Sequence, residues 1–333
     1  MAAQYVQHGG DLSFPGPVVC EGANLYCFIL EGQPQNLQAL CRKVFADPSG
    51  GQANYFPISR YFMLTVGYVP KIYSPTFNVG YTPEAQAVVW IPTAAVRPSG
   101  SKLIAERFAM FPAYTIVSNP FSLATGREMN GFFKGFGWVT VPETDTVINP
   151  ARLSVDVYGV KQYGVNSTTD RYPLFELTRL GGADGQAGNE WVTLEAAFND
   201  LRGQLKSRDP NPLVPSLELG LNLIDDLLHT AMPLVFLKQF RNAVNDGGAA
   251  YQAVLEEPTV IQRFRGIQLI DDYQFTLLNT IDSYPWAAEL GVADQKALIS
   301  FRLQMDFTIG AAVEIWNSAP AQRRGCLGFL LGK

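Results

Sequence analysis

The sequence predicts an α+β protein that is β-rich, and three observations carry that prediction. Thirty Gly and 22 Pro punctuate short apolar and aromatic runs, the pattern of strands joined by turns. The runs follow one another too closely for a helix to fit between each pair, which favours antiparallel pairing over a parallel α/β sheet. Helical periodicity is confined to a few segments.

In chain order, strands are expected at Leu25 to Leu30, Tyr61 to Val69, Ala87 to Ile91, Ala113 to Val117, Trp138 to Val141, Leu153 to Val157, Leu234 to Gln239 and Ile299 to Phe307. A helix is expected at Pro34 to Phe45, where Leu37, Leu40, Cys41 and Val44 recur at helical spacing behind a proline start. Leu194 to Lys206 and Glu218 to His229 share that period and flank the proline-rich break Asp209 to Pro215. With the glycine-rich loop at 181 to 188, they suggest a helical insertion or lid over 181–230. No linker interrupts the chain and no repeat is visible, so residues 1–333 are read as one domain.

Composition bounds the partners. The chain is 47% hydrophobic and 17% charged, enough apolar material for a sizeable core. Its 25 basic and 30 acidic residues are interspersed, leaving no basic stripe for nucleic acid and no polybasic face for a membrane. No apolar run reaches the roughly 18 residues of a transmembrane helix. No secretory leader is evident, so a cytoplasmic setting is the expectation, with Cys20, Cys27, Cys41 and Cys326 as reduced thiols. Two histidines, His8 and His229, cannot build a multi-histidine metal centre. Nucleophile-elbow, phosphate-loop and dinucleotide patterns are absent, so neither metal nor cofactor is expected.

One of the nine lysines lies inside an aromatic run, Phe132-Phe133-Lys134-Gly135-Phe136-Gly137-Trp138. Such a lysine either snorkels to water or keeps its amine partly desolvated. The second reading has a defined chemistry. To attack a carbonyl an amine must be neutral, yet at an ordinary pKa near 10.4 less than about 0.1% is neutral at pH 7. Burial among apolar groups lowers an amine by up to about 3 to 5 pKa units; Phe132, Phe133, Phe136 and Trp138 are candidates to desolvate the amine, with Phe133 and Phe136 also placed to touch substrate. The protonated imine that follows is an electron sink. It assists decarboxylation, aldol or retro-aldol steps, and dehydration alike.

The run from Ser122 through Gly126-Arg127-Glu128 to Lys134 resembles the signature of the acetoacetate decarboxylase superfamily, in which an imine-forming lysine follows Gly-Arg-Glu at this spacing. Weaker similarity extends over most of the chain. The resemblance implies an antiparallel β-barrel or cone with peripheral helices, a pocket inside it, Lys134 projecting into that pocket, and a homo-oligomer. Arg127 and Glu128 match the signature and either contact substrate or hold the lysine strand. Of the family's two glutamates, one position falls near Phe62 and the other at Pro83 or Glu84, so Glu84 alone can serve. Arg60, Lys71, Tyr73 and Tyr114 are further polar candidates, with Glu84 or Tyr114 moving protons near the imine and Arg60 binding substrate. Three features depart from the family. Gly135 stands where the decarboxylase has a second lysine, Phe133 stands where it has proline, and no arginine occurs around Gly22 to Tyr26. The expected function is therefore a cofactor-independent Schiff-base lyase acting on a keto acid or related carbonyl compound, by decarboxylation or by aldol or dehydration chemistry. The alternative is a binding protein that holds an apolar small molecule in the same barrel.

Overall fold

The computed structural model of the chain describes residues 4–77, 80–100, 102–181, 190–191, 193, 196, 200, 231–244 and 247–318. The expected helix at 194–206 apart from residues 196 and 200, the expected helix at 218–229, the 209–215 break, nearly all of the 181–230 insertion and Cys326 lie outside them.

The first long strand, β1 (Val18–Glu31), leads into α1 (Pro34–Cys41), which continues as a π-turn over Arg42–Ala46. The expected Pro34 to Phe45 helix is thus one continuous helical segment with two periods. It buries Leu37, Leu40, Cys41, Val44 and Phe45. Four strands follow: β2 (Tyr55–Pro57), β3 (Tyr61–Tyr73), β4 (Thr82–Ser99) and β5 (Lys102–Val117). A short α2 (Pro120–Thr125) and a π-turn at Gly126–Asn130 carry the chain back to β6 (Lys134–Thr140). Next come β7 (Arg152–Gly159), β8 (Asp170–Leu180), β9 (Glu190–Trp191), β10 (Met232–Arg241), β11 (Ala249–Leu269) and β12 (Asp272–Leu277). A one-turn α3 (Trp286–Leu290) precedes β13 (Gln295–Lys296), β14 (Ile299–Ile309) and β15 (Val313–Asn317).

Every expected strand falls on an observed one, apart from Val141, one residue beyond β6. Pairing runs β13-β12-β8-β7-β6-β5-β10-β11-β14-β1-β3-β4-β2, and a further β4–β5 pairing returns the path to β5. Seven strands therefore form a closed circuit of pairings, with β6, β7, β8, β12 and β13 leaving it at β5. The expectation of antiparallel pairing throughout needs correction, because β5 pairs in parallel with both β6 and β10. Antiparallel neighbours need only a tight turn, whereas a parallel neighbour needs a return crossing. The segment 120–130 supplies that crossing between β5 and β6.

The circuit strands are apolar on both faces. On β3 and β4, Phe62, Leu64, Val66, Ala87, Val89 and Ile91 enter the main core. That core also holds Trp286, whose ring stacks on Phe175 at 5.1 Å. Residues of the opposite parity face a cavity instead, as Glu84, Gln86, Val88 and Trp90 do on β4. Side chains alternate across a strand, so two apolar destinations turn the sequence into the nearly unbroken hydrophobic runs that are usual for doubly covered strands.

Candidate functional site

The cavity inside the circuit has a volume of about 230 Å³. Its longest wall is one face of β14, where Ile299, Phe301, Leu303, Met305, Phe307 and Ile309 all line it at period two.

Lys134 enters this cavity from the first position of β6, where it is paired with Thr115 of β5. Its amine donates to the Ser122 hydroxyl at 2.6 Å and lies 5.3 Å from the centre of the Phe132 ring. Only 11% of the lysine side chain is exposed. The local fold makes room for it at Gly126, where an added Cβ would stand 2.5 Å from Lys134 Cε. Ser122 is positioned by α2, whose start is capped by Asn119 Oδ1 accepting from the Phe121 and Ser122 amides. Such caps contribute about 1 kcal/mol.

Glu84 reaches the same point from β4. Its Oε2 lies 3.9 Å from Lys134 Nζ, beyond hydrogen-bonding range, and has no hydrogen-bond partner. Burial pushes the Glu84 carboxyl above its ordinary value, against the opposing pull of Lys134 and of the nearby Ser122 hydroxyl. The protonated form is therefore favoured by its surroundings. Cys20, on β1, also lines the cavity; its thiol is raised by burial and by Glu84, and Lys134 opposes this. The Thr115 and Thr259 hydroxyls are buried in the wall without partners.

A second buried carboxyl stands behind the site. Asn130 lines the cavity and donates from Nδ2 to Glu257 Oε2 at 2.7 Å. Burial pushes Glu257 up to about 7, with Asn130 and Lys238 pulling the other way. Lys238 itself is lowered by burial and donates to the Met129 carbonyl at 3.0 Å. The π-turn that carries Asn130 closes on Gly131, at φ 98°. An added Cβ there would meet Lys238 Cα at 2.7 Å, so glycine serves both the backbone and the packing. Among the described residues, no group of three or more His, Cys, Asp or Glu side chains could hold a metal ion.

No family model matches the sequence, and no curated protein does. Solved structures do match. An acetoacetate decarboxylase from Legionella pneumophila superposes with a TM-score of 0.57 at 12% identity, covering 95% of this chain and 92% of its own. An acetoacetate decarboxylase-like enzyme from Sphingomonas wittichii gives 0.56 at 17% identity, covering 94% and 98%. The enduracididine biosynthesis enzyme MppR, complexed with pyruvate, gives 0.54 at 11% identity, covering 92% and 93%. The chain has the acetoacetate decarboxylase fold. It shares that fold over nearly its whole length, with little sequence in common.

Within the acetoacetate decarboxylase fold of this chain, Lys134 and Glu84 come together, and the other predicted site residues lie elsewhere. Tyr114 faces away from the cavity because its neighbour Thr115 faces in. Its hydroxyl donates to Glu289, its ring packs on Trp286 at 5.6 Å, and its acidity is suppressed, first by burial. Arg60 forms an ion pair with Glu31 at 3.2 Å beside Tyr61. Arg127 is exposed and donates to the Lys134 carbonyl oxygen at 2.9 Å, holding the strand that carries the lysine. Glu128 is also exposed and accepts from Ser13 at 3.0 Å. Phe133 packs on the main core and Phe136 against Trp138, with ring centres 5.2 Å apart. Lys71 and Tyr73 both bind Glu21 at the surface. Phe132, not its neighbour Phe133, is the aromatic that lines the cavity beside the amine. At Gly135, the position of the family's second lysine, an added Cβ would collide with the Tyr284 hydroxyl.

Sequence reasoning missed Ser122, Thr115, Asn130, Glu257 and Thr259 as site residues. Ser122 lay inside the signature run and could have been tested as a partner for the lysine. Glu257 carries a weaker signal, a carboxylate within the apolar run of β11.

Proposed function

We propose that the chain is a cofactor-independent lyase whose Lys134 amine forms an imine with a carbonyl substrate held in the cavity. The observation that carries this reading is the meeting of Lys134, Ser122 and Glu84 at the wall of a largely apolar hollow. We read the closed circuit of pairings as the barrel or cone of this fold, and the chain as one domain assembling as a homo-oligomer.

Lys134 Nζ attacks the carbonyl carbon, and the carbonyl oxygen becomes the hydroxyl of a carbinolamine. A proton from Glu84 lets that hydroxyl leave as water, and the C=N bond forms. One amine hydrogen, relayed through the Ser122 hydroxyl 2.6 Å from Nζ, supplies the proton of the carbinolamine hydroxyl; the other stays on nitrogen in the protonated imine, whose charge the Glu84 carboxylate left behind balances. Burial that favours protonated Glu84 suits the group to the acid half of this exchange. Arg127, through the Lys134 carbonyl, fixes the backbone from which the amine extends.

The test is borohydride trapping with a panel of carbonyl compounds, followed by peptide mapping. An adduct at Lys134 that disappears in Lys134→Ala is expected. Binding of apolar ligands with no adduct from any carbonyl compound would instead make the chain a binding protein.

A further inference from the structure

We infer that the cavity takes an uncharged carbonyl compound with a large apolar body and excludes keto acids; this deepens the imine reading and rests on it. Among the described residues lining the cavity, Lys134 is the one basic side chain and Glu84 the one carboxyl. A substrate carboxylate would find no cation among these residues except the amine that must itself become the imine nitrogen. No guanidinium stands in reserve among the described lining residues. Arg60 is held by Glu31, Arg127 binds a backbone carbonyl outside, and Arg302, on the other face of β14, donates to Asn24 at 2.6 Å. A buried carboxylate without its own partner costs several kcal/mol. Burial raises the Glu84 carboxyl even with an amine 3.9 Å away, so these surroundings disfavour a carboxylate.

What the wall offers besides the pair is neutral. Gln86 and the unpartnered Thr115 and Thr259 hydroxyls can bind a hydroxyl or a second carbonyl oxygen. The six β14 side chains, with Met63, Trp90 and Met110 of the neighbouring strands, present hydrocarbon, thioether and indole surface. Burying substrate methylenes there contributes about 0.8 kcal/mol each. Imine formation on such a substrate releases one water and no carbon dioxide. The chemistry that follows is then confined to carbons adjacent to the former carbonyl, as in aldol-type cleavage or dehydration.

Trapping with 2-decanone, 9-oxodecanoate and acetoacetate tests the inference on the full chain, with binding of 2-decanol, which cannot form an imine, measured in parallel on wild type and Lys134→Met. Lys134 should be labelled by 2-decanone at concentrations at least about tenfold lower than by either keto acid, a difference of about 1.4 kcal/mol, and 2-decanol should bind both proteins. Labelling by a keto acid as readily as by 2-decanone overturns the substrate class and leaves the imine reading standing. Binding of 2-decanol with no label from any carbonyl compound removes the imine reading while the apolar selectivity survives. Failure of both ligand binding and labelling overturns both. Leu303→Trp, which fills the apolar wall, should lower labelling by 2-decanone relative to butanone; an unchanged ratio also counts against the inference.

Discussion

Gly126 governs where the lysine amine can lie. Its backbone is ordinary right-handed helix, at φ −64°, so the requirement comes from space alone. In Gly126→Ala the new methyl would occupy the path of Lys134 Cδ and Cε. The rate of borohydride trapping should fall at least about tenfold, as expected when a reacting group is displaced by about an ångström, with little change in melting temperature. Glu84→Gln keeps the shape but removes the transferable proton. In wild type the acid limb persists while the buried carboxyl remains protonated and declines as pH rises through its elevated value. That decline should be missing from the trapping profile of Glu84→Gln. Lys134 was legible in the sequence because its spacing from Gly126 is local. Tyr114 and Phe133 were not, since each lies one residue from a cavity-lining neighbour and strand parity decides the outcome. Composition cannot give that parity on strands with apolar residues on both faces.

At the scale of elements, the π-turn at 126–130 and β11 form a unit through Asn130 and Glu257. Because the Glu257 carboxyl is raised to about 7 when folded, the native state binds its proton more tightly than the unfolded chain. This contribution favours folding at low pH and is lost as pH rises from the unfolded carboxylate range through about 7. It amounts to roughly 3 kcal/mol at most, moderated by the nearby Lys238 amine. Glu257→Gln retains an acceptor for Asn130 and should flatten the decline in urea stability between pH 5 and pH 8; an unchanged slope would assign it to other groups. The apolar runs predicted no strand at β11, where charged and polar residues interrupt them, and the parallel joins at β5 were not readable either. The join of β5 to β6 depends on a crossing of eleven residues, 120–130, that looks locally like any other turn, and the join of β5 to β10 brings together strands far apart in the chain.

For the whole molecule, the two-sided circuit divides stability between a filled core and a hollow one. The side containing Trp286, Phe175 and Phe28 is packed, whereas the side facing β14 surrounds about 230 Å³ of space. Interiors normally approach crystal-like packing, so the second side lacks contacts that an apolar guest would restore. Melting temperature should therefore rise with 2-decanol concentration, following roughly 2.7 kcal/mol of added stability at one hundred times the dissociation constant. Decanoate at equal concentration should leave it unchanged. The apolar runs located these strands, but the sequence could not say which of their faces remained open.

The alternating face of β14 extends from Ile299 to Ile309, a rise of about 33 Å at the usual strand spacing. A wall of that length acts as a ruler: each substitution of a small for a large side chain along it would move the stopping point of an alkyl chain by about two residue steps. Under the proposed imine chemistry, chain-length preference is thus open to retuning from the far end of the strand without disturbing the Lys134 amine.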